Sequence, residues 1–301
     1  MANVLVTGSS GFLGHAIAER LVAAEHHVIG LDPEYPLDLK VRHVTDDLSD
    51  TRRVRELLAG EGITHIIHAG GVSGPMIMPD RPDRVIASNV GGTLNLLNAA
   101  LDAKTKAFVF CSSVSAVGEF YEKEPIGDDY PLRPTNTYGC SKAAIDMVLR
   151  GLWRRVPLDL CSLRFTGIYG PGRRTQFVVD DIVDAALRGH SVRVPAATDW
   201  PYVYVDDAAS AAIAACFCEH RKQLSYFIAY PQQVSLTDLA AAATEAAGGH
   251  PVRLEIDHTN PPLTRGPLDI APAQRDFGFS PKVDHREGIR RIVAARTLIS
   301  A

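Results

Sequence analysis

The apolar run "NVLVTG" (3–8) is followed at once by "FLGHAIAERLVAAEH" (12–26), where apolar residues recur at the three-to-four spacing of a helix. The pairing then repeats. "HVIGLD" (27–32) reads as a second strand, "VRHVTDDL" (41–48) as a weaker third, and "RVRELLAGEG" (53–62) as a helix. "THIIHAG" (64–70), "KAFVFCSS" (106–113) and "LDLCSLRF" (158–165) read as strands. "GGTLNLLNAALDA" (91–103) and "SKAAIDMVLRGLWRR" (141–155) read as helices between them. Strands that are apolar on both faces, each followed by a helix, predict a parallel sheet covered on both sides. The fold class expected is α/β, a doubly wound parallel sheet of the Rossmann type.

After about Phe165 the pattern changes. Helical stretches at 177–189, 205–217 and 235–247 alternate with short strand-like runs at 191–194, 226–230 and 252–256, and "HTNPPLTRGPLD" (258–269) reads as proline-rich loop. The division expected is a dinucleotide-binding domain over 1–165, with a return segment near 200–228. A smaller C-terminal α/β lobe over 166–301 would bind substrate.

Charge and composition narrow the class. The 301 residues are 46% hydrophobic and 22% charged, enough for a sizeable core, and the formal charge is −4. No basic stripe suggests nucleic acid, no basic tail suggests an anionic membrane, and no apolar stretch is long enough to span a bilayer. The five cysteines, Cys111, Cys140, Cys161, Cys216 and Cys218, are odd in number and lack CxxC spacing. With a strand starting at residue 3 in place of a leader, they fit a reduced, cytoplasmic protein. No metal-ligand spacing is present, and His65 and His68 read as core and strand-end histidines.

"TGSSGFLG" (7–14) sits between the first strand and first helix, with Gly8, Gly11 and Gly14. The first glycine allows a tight turn, the second lets the backbone approach a pyrophosphate, and the third lets helix and strand pack closely. The helix N-terminus then presents free N–H groups to the phosphates. Asp32, 18 residues beyond Gly14, ends the second strand. Its carboxylate suits ribose hydroxyls and repels a 2′-phosphate, and Pro33 and Glu34 follow it with no arginine; NAD is favoured over NADP. Asp47 suits either an adenine amine or a helix cap.

"YGCSK" places Tyr138 and Lys142 four apart, on one face of a helix, 25 residues after Ser113 at the end of a strand. Beyond the strand ends, such a group would face the nicotinamide. Lys142 would lower the Tyr138 pKa and hold the nicotinamide ribose. Tyr138 would take the proton of a substrate hydroxyl as hydride leaves the same carbon, and Ser113 would orient the substrate oxygen.

With these motifs the chain resembles the extended short-chain dehydrogenase/reductases, the NAD-dependent epimerase/dehydratase family. "TGSSGFLG", "NVGGTLNLL", "SSVSAVG", "YGCSK", "LRFTGIYGPG" and "YVYVDDAASA" match its landmarks in order, and residues 268–293 resemble its C-terminal segment. The resemblance implies Ser113, Tyr138 and Lys142 as the catalytic group. It implies a homodimer through helices beginning near Asn89 and Tyr138. The cofactor residues expected are Gly8, Gly11, Phe12, Leu13, Gly14, Asp32, Asp47, Leu48, His68, Ala69, Gly70, Asn89, Ser112, Tyr138, Lys142, Phe165 and Ile168. The substrate residues expected are Ser73, Ser113, Gly167, Arg173, Arg174 and Trp200.

Two departures bear on substrate. Nucleotide-sugar members carry an asparagine where this chain has Gly167, and an Arg-Asp pair where it has Trp200-Pro201. Two diphosphate contacts are thus absent, which favours a small hydroxylated substrate: a sugar acid, polyol or hydroxy amino acid. Arg173 and Arg174 either hold an anionic group of it or are solvated loop charges. The alternatives are a nucleotide-sugar epimerase or dehydratase with retained NAD, and a non-enzymatic NAD sensor.

Overall fold

The structure is a computed structural model and describes residues 1–35, 39–196, 199–259 and 265–300. It begins β1 (Asn3–Thr7), α1 (Phe12–Ala23), β2 (His27–Leu31), β3 (Arg42–Val44), α2 (Thr51–Gly60) and β4 (His65–His68). There follow α3 (Pro82–Ile86), a π-helical turn (Ala87–Gly92), α4 (Thr93–Asp102), β5 (Ala107–Ser113), α5 (Thr137–Leu152) and β6 (Asp159–Phe165). The second half contains β7 (Gly167–Tyr169), α6 (Val178–Arg188), β8 (Ser191–Pro195), β9 (Trp200–Tyr204), α7 (Val205–Cys216) and β10 (Ser225–Ile228). It ends with β11 (Gln233–Val234), α8 (Leu236–Ala247), β12 (Arg253–Asp257), α9 (Ala271–Phe277) and α10 (His285–Ser300).

Seven strands form one parallel sheet in the order β10-β6-β5-β4-β1-β2-β3. The chain runs outward from β1 to β3, then returns to the other side of β1 at β4. This reversal opens a crevice above the strand ends, the ligand position in doubly wound sheets. Apart from the edge strand β3, the strands are largely buried because both faces are covered. On one face α1 packs on α7, whose Ala208, Ala209, Ala211, Ala212 and Ala215 are all buried and allow close approach. On the other, Leu96 and Leu97 of α4 and Ile145 and Leu149 of α5 join Leu5, Ile66 and Phe108 of the sheet in one cluster. Each such side chain contributes roughly 1.5–3 kcal/mol on burial.

β10, overlapping the strand-like run 226–230, adds to the main sheet beside β6. β9 pairs instead with β7 and β11 in a three-stranded sheet, and β8 with β12 in a parallel pair. Of the proline-rich run 258–269, residues 260–264 lie outside the described residues.

Candidate active site

A cavity of about 950 Å³ runs over the strand ends, from Asp32 past the glycine loop and Gly70 to Ser112, Ser113 and Lys142, and on to Arg193. Gly8 adopts φ +69°, and a Cβ there would lie 2.7 Å from the Gly70 nitrogen. A Cβ on Gly14 would land on the Gly8 carbonyl oxygen. Loop and helix therefore close only around glycine. Gly11 caps α1 without a side-chain bond, which leaves the N–H groups of the first turn to a ligand. Asp32 accepts from the Ser10 N–H (3.3 Å) and the Glu34 N–H (2.9 Å), and its carboxylate faces the cavity. This cradle, with an acceptor at its β2 end, fits a dinucleotide. Leu48, in the left-handed region at φ +67°, is held there as Asn95 Nδ2 donates to its carbonyl (2.9 Å). The cap of α2 is Asp50, which accepts from the Arg52 and Arg53 N–H groups, so Asp47 is left to the cavity wall. Hydrogen bonds from Ser49 hold the Asp47 carboxyl below its ordinary pKa.

At the other end Asn136 caps α5 by accepting from the Gly139 N–H (2.8 Å), which puts Tyr138 in the first turn. Gly139 has no room for a Cβ, which would strike the Ser115 carbonyl oxygen. That approach brings α5 onto the turn after β5, so Ser113 comes up to the Tyr138 phenol and favours its ionised form. Lys142 donates to the Cys111 carbonyl (2.8 Å), and its Nζ lies 5.8 Å from the Tyr138 ring centroid. Burial lowers the Lys142 pKa to about 8. The expected depression of the Tyr138 pKa is not what the structure has. Burial raises it, opposed by the Ser113 hydroxyl and by the charges of Arg173 and Arg265.

Nearly all the residues expected from the sequence line this cavity, among them Phe12, Leu13, Ala69, Ser73, Phe165, Gly167, Ile168 and Trp200. His68 and Asn89, expected against the cofactor, are buried beneath the cavity wall. Their hydrogen bonds form one directed series. The Gly70 N–H donates to Thr7 Oγ1 (3.1 Å), and Thr7 Oγ1 lies 2.5 Å from His68 Nδ1. His68 Nε2 lies 2.7 Å from Thr93 Oγ1, and the Thr93 hydroxyl donates to the Asn89 carbonyl (2.6 Å). Because the Thr93 proton is spent on that carbonyl, His68 must donate from Nε2 and accept at Nδ1. Burial accordingly pushes the His68 pKa down to about 3. Asn89 Nδ2 donates to Ser141 Oγ (3.0 Å), which donates to the Tyr138 carbonyl (2.7 Å); Asn89 Oδ1 accepts from the Val72 N–H (2.7 Å). The two residues position the cavity floor and the start of α5.

Arg173 and Arg174 diverge. Arg173 donates to the carbonyls of Ile168 (2.6 Å) and Thr175 (3.2 Å) and stacks 4.2 Å from the Phe177 ring centroid. The Arg174 guanidinium, expected at the substrate, lies instead at the Asp32 end, on Ser10 and Glu34. The sequence around Asp32 has no arginine, but the fold delivers one from 140 residues away.

Arg265 was not anticipated. It stacks 4.5 Å from the Trp200 ring centroid and donates to the Gly118 carbonyl (3.1 Å). Burial lowers its pKa to about 10. Position 200 has no arginine, but one from position 265 packs on Trp200. Its only sequence signal is an isolated charge in a proline-rich loop. At Gly167 a Cβ would lie 2.7 Å from Phe177 Cζ, so Phe177 takes the room that an asparagine would need. Among the described residues neither Arg173 nor Arg265 makes an ion pair, and no group of His, Cys, Asp and Glu could hold a metal.

A glycine cradle over a reversed parallel sheet, ending at a Ser–Tyr–Lys group, defines a dinucleotide-dependent enzyme of the extended short-chain dehydrogenase/reductase class. Residues 4–225 match the model of the NAD dependent epimerase/dehydratase family, and the chain belongs to that family. UDP-glucuronate 4-epimerase 2 of Arabidopsis thaliana is 24% identical, over 97% of this chain and 75% of its own. A probable UDP-glucuronate 4-epimerase of Rhizobium meliloti is 24% identical, over 96% and 95%. Among solved structures, Thermus thermophilus UDP-glucose 4-epimerase, a complex with NAD, superposes with a TM-score of 0.86 at 29% identity, over 97% of this chain and 98% of its own. UDP-glucose 4-epimerase of Thermotoga maritima, with UDP-glucose, gives 0.91 at 24% identity, over 99% and 100%. The second of these speaks to the fold alone. These relatives favour the nucleotide-sugar reading over the small-substrate one.

Proposed function

We propose that the protein epimerises a UDP-sugar at a secondary hydroxyl, the C4 hydroxyl of a hexose or hexuronic acid, with NAD retained between two half-reactions. The observation that carries this reading is the pair Arg173 and Arg265, two half-buried cations that, among the described residues, have no carboxylate within ion-pair distance and that bear on Tyr138 from separate loops. They suit an anionic substrate, and Arg265 on Trp200 answers the lost diphosphate contact that pointed to a small one. The names of the relatives supply the substrate class.

Gly8, Gly11 and Gly14 would hold the pyrophosphate of NAD, Asp32 the adenosine ribose, and Lys142 the nicotinamide ribose. Bound there, NAD supplies the two-electron acceptor that the side chains lack. Ser113 holds the substrate oxygen against Tyr138. Tyr138 takes the proton of the hydroxyl being oxidised and returns it when the ketone is reduced. Between these events the keto sugar must turn over within the cavity, tethered by its phosphates. Ile86 before the π-turn and Met147 on α5 are exposed, and a homodimer through these helices would cover them.

The test is product analysis of the purified protein with UDP-glucose, UDP-galactose, UDP-glucuronate and UDP-galacturonate, together with the NAD released on denaturation. Interconversion without net NADH, from protein carrying near-stoichiometric NAD, is expected. NADH formed from a sugar acid or polyol, with every nucleotide sugar unchanged, would return the small-substrate dehydrogenase.

A further inference from the structure

Arg174 reaches from the segment between β7 and α6 to the glycine loop. Its Nη1 lies 3.1 Å from Glu34 Oε2, and its Nη2 donates to the Ser10 carbonyl at 2.7 Å. Ser10 is itself tied down: its hydroxyl donates to the Glu34 carbonyl (2.5 Å) and its N–H to the Asp32 carboxylate. Asp32, Glu34 and Arg174 all line the cavity, so this contact spans its adenosine end. The neighbouring Arg173 is anchored on two backbone carbonyls and faces the substrate end, so the pair of arginines serves opposite ends of one cavity.

We propose that Arg174 and Glu34 form a strap across the adenosine end of the cavity, and that the cofactor leaves only when this contact opens. The proposal rests on the cofactor half of the reading above and is independent of the sugar. Such a strap suits an enzyme that must keep its dinucleotide between half-reactions. Both partners are exposed side chains, so the contact is weak enough to open and sensitive to salt.

The experiment loads the protein with NADH, dilutes it into excess NAD, and follows the decay of protein-bound NADH fluorescence. Wild type, Arg174→Ala, Glu34→Gln and the double variant are compared at low and high salt. Each single variant is expected to release NADH about two- to fivefold faster, the scale of an exposed ion pair. The double variant is expected to release it no faster than the singles, with its salt dependence lost. A Glu34→Gln variant that releases NADH at the wild-type rate or more slowly would overturn the strap and assign Arg174 to direct attraction of the cofactor phosphates. Multiplicative effects in the double variant would overturn it as well. Absence of NADH binding would overturn strap and cofactor assignment together, whereas absence of epimerisation would strike the sugar assignment alone.

Discussion

Lys142 donates to the Cys111 carbonyl at 2.8 Å while its Nζ stands 5.8 Å from the centre of the Tyr138 ring. The ammonium is thus held by the strand that carries Ser113, not by the phenol. Tyr138→Phe removes only the proton acceptor. It is expected to lower kcat by about 10²–10⁴-fold while bound NAD stays near wild type. Lys142→Met removes a cation from the cavity floor as well, so kcat and NAD content should fall together. Turnover assays paired with NAD released on denaturation check both. Equal NAD loss in the two variants would contradict the division of roles.

His68 predicts an acid-side loss of stability. Its folded pKa, about 3, lies below the ordinary histidine value. Between about pH 6.5 and 3 the unfolded chain therefore binds a proton that the folded chain does not. Stability rises with pH across that window and falls as the solution is acidified, by at most about 1.4 kcal/mol per pH unit from this group. Urea midpoints at pH 7, 6 and 5 should show a steeper decline for wild type than for His68→Gln. Parallel declines would mean that His68 titrates normally.

The main sheet and the cradle were legible because both depend on local pattern: apolar runs alternating with helices, and glycines at fixed offsets. Ser113, Tyr138 and Lys142 were legible because one strand end and one helical turn set their geometry. His68 and Asn89 were picked out along the chain, but their burial beneath the cavity floor was not legible. Nothing in a strand-end residue reveals that two threonine hydroxyls, Thr7 and Thr93, will turn its ring inward. Arg174 was singled out but expected at the other end of the cavity, and Arg265 was missed, for a further reason. Their partners, Glu34 and Trp200, lie 140 and 65 residues away in sequence, in segments with no shared periodicity.

Gly14 tests the cradle directly. A Cβ at this position would fall on the Gly8 carbonyl oxygen, backbone that cannot move without opening the loop. Gly14→Ala is expected to abolish retained NAD and to lower stability by about 1–3 kcal/mol, the cost of overpacking. Thermal melts with and without added NAD check this. A variant that keeps its NAD and its melting temperature would show that the loop has room the structure denies.

Arg265 predicts opposite effects on substrate binding and on stability. Its guanidinium is desolvated, has no carboxylate within ion-pair distance among the described residues, and rests on the Trp200 ring. A cation in that state costs the folded protein stability unless an anion arrives. Arg265→Met keeps apolar contact with Trp200 and removes the charge, so the melting temperature should stay level or rise by a few degrees. The same change removes a charged hydrogen-bond donor to a substrate phosphate, worth about 1.5–3 kcal/mol, and KM should rise by roughly ten- to a hundredfold. Because Arg265 also favours the ionised form of Tyr138, the limb of the kcat–pH profile governed by the phenol should move to higher pH. A fall in both stability and kcat with KM unchanged would make Arg265 a packing residue and remove the main support for an anionic substrate.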